Sequence, residues 1–309
     1  MVRCRALWLL ALICAEPLCA ADERVYTEGQ YSSDSDDQRQ KILVAGYQRS
    51  FPSVHHESLT VALGHRELTA PIGRESFEFG RMKGGLDLWP GASLTAQLDQ
   101  MFGRGWSPTL GSAAVHWKPA DPWYFETSVE RDLVDTVVAV RNRVVFDTAA
   151  VSADWSPVKE LTLVAGVSRG TFSDDNNRSG RTLRLIYSPA RLPWFNAQLR
   201  TKRSDSAGTG IGYFNPRRLE EYEFLLSAAG APFGEHWNLS LQAGAGSQHV
   251  DRNAHSRIYT IDGRARGWFT QRYGLESRVA CNNTGGLSAA PAEQGYRYCL
   301  GSLSLIVAW

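Results

Sequence analysis

Apolar and polar residues alternate along this chain with a period of two, in many runs of about ten residues. No useful helical period is present from Asp22 onward. In the run that starts at Phe195, the residues Phe195, Ala197 and Leu199 share one face, while Asn196, Gln198, Arg200 and Lys202 share the other. Runs of the same kind begin at Ser93, Trp123, Leu161, Thr182, Trp237 and Tyr259. Successive side chains of a strand point to opposite sides, so each run predicts a strand that is apolar on one face and polar on the other. The final stretch, Gln294 to Trp309, fits this pattern: counting back in twos from Trp309 gives Val307, Leu305, Leu303 and Gly301. Ser304, Ser302 and Tyr298 fall on the opposite face, with Leu300, Ile306 and Ala308 blurring the contrast. Alone, this stretch fits equally the closing strand of a transmembrane barrel and the last strand of a soluble sandwich.

The connections decide between them. Read back from the carboxyl end, Asn282 to Glu293 is long, Thr270 to Arg272 short, Ser247 to His255 long, Ala231 to Gly234 short and Arg203 to Pro216 long. Pro189 to Leu192 is then short, Gly170 to Arg178 long, Ser156 to Val158 short, Asp132 to Arg141 long and Pro119 to Asp121 short. A barrel with both termini in the periplasm has short turns on that side and long loops outside, whereas a sandwich has no reason to keep such a count. Ser50 to Glu57 is the exception, an inner turn that is too long. Fifteen strands can be placed from Lys41 onward, and an even number requires one more upstream, for which Arg24 to Ser32 is the candidate. The expected fold is therefore all-β: a transmembrane antiparallel β-barrel of about sixteen strands, with fourteen as the alternative count. The run from Phe77 to Trp89 changes phase near Gly84-Gly85, which predicts a β-bulge there. Trp117, Trp123, Trp155, Tyr187, Trp237, Phe269 and Tyr273 lie beside short turns, as an interfacial aromatic girdle would.

The amino end adds the compartment. Arg3 and Arg5, an apolar run from Ala6 to Ala15 and the small-residue exit Cys19-Ala20-Ala21 read as a secretory signal peptide over residues 1–20, leaving 21–309 as the barrel. Lipidation at Cys19 is the alternative, although Pro17-Leu18 makes a poor lipobox. No later stretch approaches the roughly 20 apolar residues of a spanning helix, which points to the outer membrane of a Gram-negative bacterium. Removing Arg3, Arg5 and Glu16 turns 33 basic and 32 acidic residues into 31 and 31, and a neutral chain offers no bulk charge to hold nucleic acid. Cys281 and Cys299 remain well inside the exported chain. They are a disulfide candidate near the outer ends of adjacent strands, with two free thiols as the alternative.

No catalytic constellation stands out, and no cofactor is implied. The histidines at 55, 56, 65, 116, 236, 249 and 255 show no metal-ligand spacing and no clear nucleophile partner, so the chain does not read as an enzyme. Assigning the inward face by alternation gives Asp99, Glu126, Glu130, Asp154, Glu221, Glu223, Asp262 and Glu276 as acids. The bases are Arg66, Lys118, Arg184, Arg200, Lys202, Arg264, Arg266 and Arg278. Eight face eight, so no lumen sign selects an anionic or a cationic solute, and mutual pairing across the lumen stands as the alternative to a substrate role.

The stretch VSADWSPVKELTLVAGVSRGTFSDDNNRSGRTLRL, Val151 to Leu185, resembles the barrel of bacterial exopolysaccharide exporters of the poly-N-acetylglucosamine and cellulose type. There a strand, a short turn and a strand lead to an FSDxNxR-like loop, matched here by Phe172, Ser173, Asp174, Asn176 and Arg178. GYFNPRR, Gly212 to Arg218, is similar to the GYFSPQ-type segment that opens a strand in those barrels. The resemblance implies an outer-membrane channel for a secreted polysaccharide or other polar solute. The alternative is a plugged structural or interaction barrel whose outer loops bind a partner. Such exporters carry a helical repeat region before the barrel, and only about twenty residues separate the signal from the first confident strand here. The partners implied are outer-membrane lipid, a polysaccharide, and a separate periplasmic protein that supplies the repeats.

Overall fold

The computed structural model describes residues 23–51, 57–208, 210, 212–251, 255–284 and 297–309. The expected signal peptide, Cys19, His55, His56 and most of the connection from Asn282 to Glu293 lie outside them. The strands are β1 (Glu23–Asp34), β2 (Arg39–Phe51), β3 (Glu57–Ala70), β4 (Gly73–Trp89), β5 (Ala92–Gly103), β6 (Thr109–Ala120), β7 (Trp123–Leu133) and β8 (Val145–Val158). They continue with β9 (Leu161–Phe172), β10 (Asn177–Tyr187), β11 (Phe195–Ser206), β12 (Arg218–Gly230), β13 (Trp237–Val250), β14 (Ser256–Trp268), β15 (Tyr273–Asn282) and β16 (Tyr298–Ala308). Each pairs with its sequence neighbours, and β1 pairs antiparallel with β16, so the sheet closes on itself. The upstream strand expected around Arg24 to Ser32 is the one that closes the ring. At the seam, Trp309 donates its backbone N–H to the Glu23 carbonyl at 3.1 Å and its indole Nε1 to Glu23 Oε2 at 2.9 Å.

Closure leaves no sheet edge, and the exterior is correspondingly apolar. Leu43, Leu63, Val167, Leu183, Leu199, Val279, Leu303 and Leu305 are all exposed on it. Trp117, Trp123, Trp155, Tyr187, Phe269 and Tyr273 are exposed beside the turns at the end of the barrel that carries both termini, joined there by Trp194 and Trp309. Trp237 packs edge to face on Phe269 at 5.2 Å. An outward apolar band rimmed by aromatic rings is what a bilayer selects.

Two expectations need correction. The long and short connections do not alternate throughout: the long one expected from Gly170 to Arg178 shrinks to 173–176, while the opposite turn at 188–194 is longer. The strands run from 10 residues in β15 to 17 in β4, many beyond the 9–11 or so that a tilted crossing needs. Strand extension past the membrane absorbs sequence that reads as loop. The phase change in β4 is also not a bulge at Gly84-Gly85, since register is continuous there and slips only between Asp87 and Trp89. Phe77 and Phe79 are inward residues buried against an internal apolar cluster, whereas Met82 and Leu86 face outward. The polarity of the surroundings changes along β4, not the phase of the backbone.

That internal cluster comes from the connection between β7 and β8, which turns into the barrel. Val134, Val137, Ala139, Val140 and Val144 are buried, and a short helix, α1 (Val137–Arg141), lies among them. Thr136 caps it, its Oγ1 accepting from the Ala139 N–H at 3.0 Å and donating to the Gly212 carbonyl at 2.7 Å. Leu133, Val137 and Val140 share a cluster with the inward side chains Val44, Leu68, Phe77, Phe79 and Met101.

Placing a charge on each face separates lipid from lumen. Leu183→Arg, mid-strand on the outer face of β10, is expected to destabilise the barrel by about 2–4 kcal/mol, whereas Thr182→Arg on the inner face costs less than half of that. Urea titration of refolding into phospholipid vesicles measures both.

Candidate functional site: a constricted polar lumen

The interior divides into two halves. At the end remote from the termini, α1 and its flanks cover the inner wall of β2 to β5. Arg66 fastens them: it is 7% exposed, donates from Nη1 to Asp132 Oδ1 at 3.2 Å, and pairs through Nη2 with Asp135. Arg141 reaches Glu75 Oε1 at 2.8 Å and the Ile72 carbonyl at 3.0 Å. Arg66 is thus an interior residue, but it holds a folded-in segment instead of lining open space.

The second support joins the two stretches that carried the family resemblance. Phe172 stacks on Tyr213 with centroids 5.1 Å apart. The Tyr213 hydroxyl donates to Asp174 Oδ1 at 3.1 Å and accepts from Asn176 Nδ2 at 3.0 Å. Burial pushes the phenol up to about 12, which keeps it neutral and able to do both. Asn176, itself buried, accepts at Oδ1 from the N–H groups of Asn177 at 2.9 Å and Gly208 at 3.0 Å. Arg178 donates to the Phe214 carbonyl at 2.7 Å and to Asn215 Oδ1 at 2.9 Å. The polar residues of one motif therefore tether the other, pinning the connection 207–217 against the α1 segment through Phe172, Tyr213, Val134 and Ala139.

At the terminal end the interior is open and polar, with a cavity of about 660 Å³ bordered by β1 to β5 and β13 to β16. Arg264 and Arg266 line it, engaged through Nε with Asp262 at 3.0 Å and Glu276 at 2.9 Å respectively. Asp262 also accepts from Arg278 Nε at 2.9 Å. Further round, Arg200 pairs with Glu223 and Lys202 Nζ lies 3.5 Å from Glu221, with both glutamates buried. Arg184 sits opposite Arg200 in register, and its Nε is buried without a hydrogen-bond partner. On the far wall, Glu126 is 3.5 Å from His116 and Asp154 stands opposite Tyr124. Glu130 makes no ion pair among the described residues and lies opposite Ser112 and Thr148. Lys118 belongs to the rim, where it reaches Asp121 at 2.8 Å.

Alternation alone missed Arg24, Glu28, Arg81 and Lys83, which also line the cavity. Arg81 grips Asp99 through Nε at 2.9 Å and Nη2 at 2.7 Å. Both β4 cations follow Phe77 and Phe79 at two-residue steps, so the signal was present once those aromatics are read as interior. Cys281 and Cys299 stand opposite each other with Cα atoms 4.1 Å apart and the sulfurs bonded. Among the described residues no group of three or more His, Cys, Asp or Glu could hold a metal ion.

A closed cylinder with an apolar exterior, aromatic rims and a charged interior is an outer-membrane β-barrel. No family model matches the chain, and no curated protein matches its sequence. Among solved structures it is similar to one described as a bacterial polysaccharide outer membrane secretin, with a TM-score of 0.69 at 12% identity, covering 94% of this chain and 98% of that one. It is also similar to OpdQ and OccK7 (OpdD) of Pseudomonas aeruginosa. Both give a TM-score of 0.50, at 9% and 10% identity, covering 94% of this chain and 99% and 98% of theirs. At such identities the likeness establishes the architecture.

Two measurements probe the site's supports. Asn176→Ala strips acceptors from two backbone N–H groups and a donor from Tyr213, so trypsin should cut after Arg217 about tenfold faster, the equivalent of losing one or two hydrogen bonds. Alkylation of the unreduced protein should leave Cys281 and Cys299 unmodified, and prior reduction should expose both to labelling by mass spectrometry.

Proposed function

We propose that the chain is an outer-membrane channel that passes a secreted polysaccharide or another polar solute, acting as a conduit with both termini on the periplasmic side. One observation carries this reading: the open polar cavity at the terminal end, ringed by charged side chains and, among the described residues, lined by none of the α1 segment. The architecture it shares with the polysaccharide secretin supports a glycan as the passenger. A glycan leaving through such a pore needs delivery from the periplasm, which makes a separate repeat-bearing protein the natural partner beside the surrounding lipid.

A second reading rests on the α1 segment. If Val134 to Val144 seals the far half, the chain is a plugged barrel whose outer loops bind a partner. Planar bilayers separate the two. The channel reading expects measurable single-channel conductance that rises in Arg66→Leu, because Asp132 and Asp135 then lose their shared cation and the segment its fastening. Silence in both proteins would leave the plugged barrel. Deleting the chain from its host should reduce surface glycan, and unchanged glycan with a conducting barrel would redirect the assignment to a small polar solute.

A further inference from the structure

The interior charges are sorted by wall. The terminal-end cavity is lined by six cations, Arg24, Arg81, Lys83, Arg264, Arg266 and Arg278, and by two carboxylates, Glu28 and Glu276. Counting Asp99 behind Arg81 and Asp262 behind Arg264 and Arg278 still leaves 6 − 4 = 2 cations in excess. Arg24 and Lys83 make no ion pair among the described residues, and the Arg24 Nε is buried with no acceptor. Arg264 and Arg266 meet Asp262 and Glu276 through Nε, and both side chains stay 61% exposed to the cavity. Half-way round the ring from β15 and β16 stand β7 and β8, whose inward residues include Glu126, Glu130 and Asp154. Two walls of opposite sign across a low-dielectric cylinder focus a transverse field that draws anions to one side.

Orphaned guanidinium N–H groups call for acceptor oxygens, and a carboxylate matches their planar fork. Same-face cations along a strand are spaced by about 7 Å, which suits a ligand bearing many carboxylates in a row better than an isolated small anion. We propose that the wall formed by β1, β4 and β13 to β16 is an anion track that takes the carboxylates of an acidic sugar chain, one built from uronate units. This rests on the channel reading above and names its substrate class.

The test uses the full chain in detergent at low salt, titrated calorimetrically with hexagalacturonate, the neutral hexamer of glucose, the cationic hexamer of glucosamine, and inorganic phosphate. Hexagalacturonate is expected to bind, the two other hexamers not at all, and phosphate more weakly by about tenfold or more. Arg24→Gln with Lys83→Gln should weaken hexagalacturonate by about tenfold or more, the equivalent of one charge-assisted hydrogen bond, with the refolding midpoint unchanged. Binding of neutral and acidic hexamers alike, phosphate as tight as the hexamer, or no effect of the double substitution overturns the track. In bilayers, reversal potentials should show chloride preferred over potassium, reversed by Arg24→Glu with Lys83→Glu. Conductance without that preference, together with no hexagalacturonate binding, sinks this inference and spares the channel. Absence of conductance removes the channel, while calorimetry still decides the site.

Discussion

Every feature of this molecule follows from the requirement that a backbone in hydrocarbon satisfy all of its own N–H and C=O groups. Sixteen strands meet it by pairing in sequence and joining β1 to β16. Once the ring is closed, each residue faces either outward or into the lumen, and the outer face must be apolar where it meets hydrocarbon. The inner face is freed to carry charge, and it does so mostly as cross-strand pairs such as Arg81 with Asp99 and Arg200 with Glu223. Partly buried pairs of this kind add little net stability. Their value lies in holding ionised groups in a narrow lumen without leaving them orphaned.

The interior is not uniform along its length. Near the termini it is wet and charged, while at the other end the inner wall of β2 to β5 is apolar and is covered by the α1 segment. That cover is held by groups far apart in sequence: Arg66 on Asp132 and Asp135, Thr136 on Gly212, and Asn176 with Asp174 on Tyr213. A folded-in segment fastened by a few charged and hydrogen-bonded contacts narrows the lumen there. This couples the stability of two connections to the width of the lumen.

Most of the barrel was legible in the sequence because lipid on one side and water on the other impose a period of two on every strand. The strand around Arg24 to Ser32 could be inferred from parity alone, and the inward placement of Arg200, Lys202, Glu221 and Glu223 from simple alternation. The reading failed where that premise fails. Phe77 and Phe79 point into a protein interior, so a rule that sends apolar residues outward reversed the first half of β4 and hid Arg81 and Lys83. Asp132 to Arg141 reads as an outer connection by its place in the count, yet six of its ten residues are apolar, and that is the local sign of a segment that packs inward; its partners Leu68 and Met101 are contributed by other strands. The contact between Asn176 and Tyr213 likewise depends on two connections meeting in space.

The paired lumen charges also act as a check on assembly. Shift β12 against β11 by a single residue and Glu221 and Glu223 swing from the interior to the outer face, leaving Lys202 and Arg200 behind without counterions. Such an error is penalised at several neighbouring positions at once, which favours the correct register over its neighbours. The same residues that give the pore its polarity therefore proofread the alignment of its staves.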